Sequence, residues 1–259
     1  MARVLITGAS KGIGRQTAVQ ALRRGHDVVG TARNPDTLAD TEGLSARLRL
    51  DVTDPASVDA ALAQAGELDA VISNAGETTN GSVETTPIEE FHRLFELNTI
   101  GALRVAQPLI GQFRRRGHGR LIFVSGILGQ VAFPLKSPYA ASKWGLEAIA
   151  EALAHETGQF GLHVSVIEPG PVSGTSGAAT AANFVTETDP YRPRRDPGAQ
   201  NQLAAVSVPV EEVAAAIVDV LEAERPPFRV PVGKFAAAAL AQKYAAPHER
   251  PFLFDPSSL

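Results

Sequence analysis

The chain has 259 residues, with 24 Lys plus Arg against 28 Asp plus Glu and a formal net charge of −4. That length allows one large α/β domain or two small ones with a full core, so no metal or disulfide staple is required. Cysteine is absent, which excludes disulfides, thiolate metal sites and thiol nucleophiles, and the mildly acidic balance argues against nucleic acid or an anionic membrane as the main partner.

At the N-terminus a single basic residue, Arg3, leads straight into Val4-Leu5-Ile6, an apolar stretch too short for a signal peptide. No apolar run approaches the ~18 to 20 residues of a membrane span. A soluble, cytoplasmic protein starting at Met1 is expected. Val4 to Thr7, Asp27 to Ala32, Leu48 to Asp51, Leu68 to Ser73, Leu121 to Ser125 and Val164 to Glu168 have strand length, aliphatic content and Gly, Asp, Asn or Pro at their borders. Most are continuous apolar runs, as in strands buried on both faces. Helical patterns lie between and after them: Gly14 to Arg24, Ser57 to Gln64, Ile88 to Arg116, Pro138 to Gly158 and Val210 to Ala223. This alternation predicts an α/β, single-domain Rossmann fold over residues 1–259, a doubly wound parallel sheet with helices on both faces.

Gly25, Gly117 and Gly158 follow helical patterns and are expected as left-handed C-terminal caps, with Arg114-Arg115-Arg116 complementing the negative end of one helix. Phe235 to Ala241 reads as a short Ala-rich piece. Pro171 to Pro209 has no clear periodicity, and a stretch that long inside a compact domain is expected to be a substrate lid, with a flexible linker as the alternative. The six histidines show no metal-ligand spacing, so no metal is expected.

Three constellations carry chemistry. The first strand runs into Thr7-Gly8-Ala9-Ser10-Lys11-Gly12-Ile13-Gly14 and then a helix, glycine spacing that lets a backbone turn sharply and aim helix N–H groups at a pyrophosphate. A tight turn that binds nothing is the bland alternative. At the end of the second strand Thr31-Ala32-Arg33 has a cation and no acid, and with Lys11 this favours NADP(H) over NAD; otherwise Arg33 is a solvated loop residue. In Tyr139-Ala140-Ala141-Ser142-Lys143 the phenol and ammonium lie four residues apart on one helix face, where the ammonium lowers the phenol's pKa and makes it a proton donor or acceptor.

With these motifs in this order, the sequence resembles the classical short-chain dehydrogenases/reductases. The resemblance adds Asp51-Val52, Ser73-Asn74-Ala75-Gly76, Asn98 and Pro169-Gly170-Pro171-Val172 and covers roughly the first 175 residues. The Thr31 to Asp36 stretch and Val230-Pro231-Val232-Gly233 look like the subgroup of 17β-hydroxysteroid-dehydrogenase-like enzymes. The resemblance implies an NADP(H)-dependent reaction between a hydrophobic ketone and its secondary alcohol, without nucleic acid or membrane as partner. Tyr139 would exchange the proton and also touch the cofactor, Lys143 would bind the nicotinamide ribose and tune Tyr139, and Asn98 would hold a water in a proton relay. Asp51 and Val52 would meet the adenine, Asn74, Ala75 and Gly76 the ribose side, and Pro169, Gly170 and Val172 the nicotinamide. It also implies a homodimer or homotetramer joined through Ile88 to Arg116 and Pro138 to Gly158.

The family's serine, thirteen positions before the tyrosine, is Gly126 in this chain. Three explanations stand open: Ser125 reaches in, the substrate or a redirected reaction dispenses with the hydroxyl, or the glycine is a deliberate knock-out. A non-redox enzyme such as a cyclase or isomerase, or an NADP(H)-binding regulator, is the alternative function. Thr175 stands one place beyond the usual threonine, and Glu77 is either the start of the substrate pocket or an exposed carboxylate.

Overall fold

Aliphatic runs form strands and amphipathic stretches form helices in the order β1 (Arg3–Ile6), α1 (Gly12–Arg23), β2 (Asp27–Ala32), β3 (Ala46–Arg49), α2 (Pro55–Ala65), β4 (Ala70–Ser73), β5 (Thr79–Asn80), α3 (Ile88–Phe95), α4 (Gly101–Arg116), β6 (Gly119–Val124), α5 (Ser137–Thr157), β7 (Leu162–Pro169), β8 (Val172–Ser173), β9 (Ala182–Asn183), β10 (Val208–Pro209), α6 (Val210–Glu222), β11 (Arg229–Val232) and α7 (Lys234–Ala245). The computed structural model describes residues 1–175, 181–186, 188–191 and 206–245. Seven strands make one parallel sheet in the order β11-β7-β6-β4-β1-β2-β3.

Strand periodicity sets the layers, because successive side chains point to opposite faces. Leu5, Val29, Val71, Leu121 and Phe123 pack with α2, α4 and α5 residues such as Val58, Val105 and Leu146. Their neighbours Val4, Ile6, Val28, Ile72 and Ile122 pack on the other face with Ala18 and Ala21 of α1 and Val213 and Ile217 of α6. Both faces are covered, as a doubly wound Rossmann-type sheet requires. Strand order reverses between β1 and β4, so the crevice over their C-terminal ends is where such sheets take ligands. Among the described residues no helix is long and apolar enough to cross a membrane.

Several expected elements differ. The expected strand Leu48 to Asp51 lies two residues earlier, and Ile88 to Arg116 is two helices joined by a π-turn, Glu96–Ile100, that carries Asn98. Gly25 and Gly117 have φ of 81° and 74°, but Gly158 has φ −56° and continues into a 3-10 turn, Gly158–Phe160, and Gly161 at φ 75° makes the left-handed stop. Arg229–Val232 is an edge strand, where the missing N–H of Pro231 costs nothing, and the Ala-rich piece belongs to α7.

Of the expected lid, residues 176–180, 187 and 192–205 lie outside the described residues, as does the Phe252-Leu253-Phe254 tail. Its described parts are tied down: β8 pairs with β10, β9 pairs with β5 just after Gly76, and the Tyr191 hydroxyl donates to Glu84 at 2.8 Å.

Candidate active site

The glycine-rich turn sits at the β1 end of the crevice. Gly8 and Gly12 have φ of 65° and 55°, conformations that glycine takes without a β-carbon penalty. A β-carbon on Gly14 would lie inside contact distance of the Gly8 carbonyl oxygen and 2.5 Å from Asn74 Nδ2. Thr7 Oγ1 accepts the backbone N–H groups of Asn74 and Ala75 at 2.9 Å each, and Asn74 Nδ2 donates to the Thr7 and Gly8 carbonyls. Gly14→Ala should therefore destabilise the fold by about 1 to 3 kcal/mol through overpacking, read as a fall in Tm of several degrees.

Lys11 is the extended, exposed N-cap of α1 and gives no side-chain cap, while Ser10 and Ile13 flank it half-buried. The first N–H groups of α1 have no intrahelical acceptor and face the turn. This cradle, with glycine where a backbone must be approached, fits the pyrophosphate of a dinucleotide. Thr175, whose methyl would lie 3.6 Å from a β-carbon on Gly12, sits beside the cradle.

At the other end Arg33 follows β2 and Arg49 ends β3, opposite Ala32 in the ladder. Asp51 accepts from the Thr53 hydroxyl at 2.7 Å and its N–H at 3.0 Å, and these hydrogen bonds, with smaller help from Arg33 and Arg49, hold its carboxyl below the usual range. Val52 is buried against Gly101 at the start of α4. Arg33, its side chain 73% exposed, reaches Glu77 at 3.5 Å, a contact worth little in water. A guanidinium so weakly held is available to an anion. Glu77 is bound more firmly to Arg93, at 2.7 Å.

The third cluster gathers around α5. Lys143 is 4% exposed and donates to the Val124 carbonyl at 2.8 Å; its Nζ lies 5.8 Å from the Tyr139 ring centre. A β-carbon on Gly76 would lie 2.9 Å from Asn98 Oδ1 and 3.7 Å from Lys143 Nζ, so glycine lets the β4 loop meet both. Asn98 Oδ1 accepts the Glu77 N–H, and Asn98 Nδ2 donates to the Glu77 carbonyl and Ser142 Oγ, each at 2.9 Å. Burial pushes Tyr139 up to about 12, overriding the lowering expected from Lys143, and pushes Lys143 down to about 8, because each loses solvation of its charged form.

Gly126 completes this cluster. A β-carbon there would lie 3.5 Å from Tyr139 Oη and 3.9 Å from the Pro169 carbonyl, so position 126 aims at the phenol. Ser125 points the other way, its buried hydroxyl against Gly129 and Glu147, as alternation along an extended segment dictates. Pro169 is buried at the end of β7, Gly170 donates to the Val232 carbonyl at 3.1 Å, and Val172 pairs with Val208. Thr7 and Ser142 lie inside the quoted motifs without an expected role, and Arg49, Glu147, Glu168 and Arg229 escaped the sequence reading; for these four the i, i+4 spacing of Lys143 and Glu147 is the one local signal that could have found any.

A family model described as short chain dehydrogenase matches residues 2–184. Human retinol dehydrogenase 8 is 33% identical over 247 residues, 87% of this chain and 79% of that protein. The crystal structure of a short-chain dehydrogenase from Streptomyces avermitilis superposes with a TM-score of 0.79 at 35% identity, covering 91% of this chain and 89% of the other. A Burkholderia cenocepacia J2315 short chain dehydrogenase in complex with NADP has the same fold, with a TM-score of 0.76 at 23% identity over 95% and 93% of the two chains. With its switch-point crevice, glycine cradle and Tyr-Lys helix, the chain belongs to the short-chain dehydrogenase family, and it is an oxidoreductase.

Proposed function

We propose that this oxidoreductase uses NADP(H) to interconvert a hydrophobic ketone and its secondary alcohol, with Tyr139 as general acid and base. The observation that carries this reading is the convergence of Tyr139 Oη, Lys143 and the chain at Gly126 over the ends of β4 and β6. Support for the hydrophobic character of the substrate comes from the retinol dehydrogenase relative, whose name specifies an apolar alcohol, though a primary one.

The bound nicotinamide supplies or accepts the hydride. The chain's own residues hold and protonate. Gly8, Ser10, Lys11, Gly12, Ile13 and Gly14 form the pyrophosphate cradle, Asp51 and Val52 bound the adenine, Asn74, Ala75 and Gly76 the ribose side, and Pro169, Gly170 and Val172 the nicotinamide. Tyr139, protonated at neutral pH, gives its proton to the ketone oxygen; in the reverse direction it takes the alcohol proton, helped by the positive Lys143. Asn98 fixes the Glu77 backbone and Ser142, and so the wall beside Lys143. Gly126 offers no hydroxyl to the carbonyl, which makes the site a weakened version of one that does.

Arg33 and Arg49 support the preference for a 2′-phosphate, with no acid at the end of β2 to bind a ribose hydroxyl. Arg33→Asp should reduce the ratio of NADP to NAD affinity by about 10- to 100-fold, the worth of one charge-assisted contact. Fluorescence titration with both reduced dinucleotides tests this, and an unchanged ratio removes Arg33 from the phosphate site. Assembly as a homodimer or homotetramer through α3, α4 and α5 belongs to the same reading, with Phe95 of α3 and Trp144 of α5 40% and 45% exposed.

A further inference from the structure

Glu147 follows Lys143 by one helical turn, the third member of a Tyr139, Lys143, Glu147 stripe on α5. It is 4% exposed, and Glu168 at the end of β7 is 0% exposed. Arg229 of β11 reaches both, at 3.0 Å to Glu147 and 3.7 Å to Glu168, while its other nitrogen is spent on Glu151 at 2.7 Å. Gln130 donates to Glu168 Oε1. Among the described residues, three buried oxygens of this group, Glu147 Oε1, Glu168 Oε2 and Ser125 Oγ, lack a hydrogen bond of good geometry, although the Ser125 hydroxyl and the Glu168 carboxyl both lie close to Glu147.

Two carboxyls buried together are expensive, and aliphatic side chains would pack there at lower cost. The position of Glu147 one turn along α5 from Lys143, with Glu168 behind it, supplies a reason for the pair. Lys143 is itself buried, and its neighbours are Tyr139 on its own helix, the Val124 carbonyl of β6, Gly76 after β4 and the neutral amide of Asn98. None of these carries a negative charge at neutral pH. We propose that Glu147 is the positioning residue for Lys143: its carboxylate, held by Arg229 and sharing one proton with Glu168, is the counter-charge that keeps the Lys143 ammonium protonated in a site closed to water.

Charge balance and the unpaired oxygens both follow from this arrangement. One proton placed between Glu147 and Glu168 supplies a donor to oxygens that ionised carboxylates leave facing each other. Burial and the neighbouring Glu147 push Glu168 up to about 7, burial also raises Glu147, and Glu147 opposes the fall that burial imposes on Lys143. Loss of the shared proton near neutrality adds negative charge under Lys143.

This role rests on the assignment of Lys143 as the partner of Tyr139, so its test needs neither substrate nor turnover. The chain has five lysines, Lys11, Lys136, Lys143, Lys234 and Lys243. In full-length protein labelled at lysine Cε, the Lys143 signal is identified by its loss in Lys143→Arg and followed against pH. Wild type should show a main step near pH 8 preceded by a small inflection near 7. Glu147→Gln should remove the inflection and lower the main step by about one pH unit, a tenfold weaker hold on the proton. Glu168→Gln should remove the inflection alone. A main step in Glu147→Gln that coincides with wild type overturns the assignment, and if that variant does not fold, an inflection that persists in Glu168→Gln overturns it instead. Should both variants behave as expected while Tyr139→Phe keeps full activity, the oxidoreductase mechanism fails and the counter-charge stands.

Discussion

Replacing Tyr139 by Phe is expected to lower the rate of ketone reduction by about 10³- to 10⁴-fold, the upper part of the range for a positioned general acid, with a far smaller effect on NADPH affinity. The large effect follows from Gly126. Where a hydroxyl at 126 would share the work of binding the developing alkoxide, the phenol here has no hydroxyl from position 126 beside it, so its removal leaves the carbonyl oxygen without either donor. The phenyl ring of Phe fills the same space on α5, and Lys143 keeps its bond to the Val124 carbonyl, so the fold and the cofactor cradle are untouched. Single-turnover kinetics with pre-bound NADPH separate the chemical step from binding. Since burial holds Tyr139 near 12, the acid is fully protonated throughout the neutral range, and the reverse reaction, which needs the phenolate, should gain rate as pH rises.

Gly126→Ser is expected to do the opposite, raising kcat/KM for ketone reduction by about 10- to 100-fold. A preorganised donor to an oxyanion is worth about 10²- to 10³-fold, and a serine β-carbon would sit 3.5 Å from Tyr139 Oη in ordinary contact. Part of that gain is lost to the backbone. Gly126 has φ 154° and ψ 163°, a conformation that costs an L-residue of order 1 kcal/mol until φ relaxes to the extended region. The gain should appear in kcat, since the added interaction forms fully only as charge develops on the substrate oxygen. Ser125 cannot supply it, because its hydroxyl is turned toward Glu147 beneath the site. Of the explanations for the glycine, a one-residue loop shift is the one this geometry disfavours.

The sheet was legible because its central strands are continuous runs such as Val4-Leu5-Ile6 and Val71-Ile72, and the helices between them carry an apolar stripe. Arg229–Val232 was not legible as a strand, since an edge strand of four residues with a proline lacks both length and β-branched continuity. The π-turn at Glu96–Ile100 left no mark either: one extra residue in a turn changes neither composition nor helical period enough to read. Gly158 shows the limit of cap signals, because a helix that tightens into a 3-10 turn postpones its left-handed residue to Gly161.

For the site, the readable parts are local. Gly8, Gly12 and Gly14 lie in one turn, and Tyr139 and Lys143 in one helical face, so spacing alone brings them together. Glu147, Glu168 and Arg229 come from α5, β7 and β11, and only the sheet order that places β11 beside β7 puts a guanidinium over two carboxyls. Arg49 likewise gains meaning from the ladder that sets it opposite Ala32, next to Arg33.

The most direct test of the central claim is ketone-dependent NADPH oxidation by wild type, Gly126→Ser and Tyr139→Phe on one panel of hydrophobic ketones. The account predicts Gly126→Ser fastest, wild type slower and Tyr139→Phe at the background rate. No oxidation by wild type and Gly126→Ser across the panel, or a Tyr139→Phe rate equal to wild type, would contradict it.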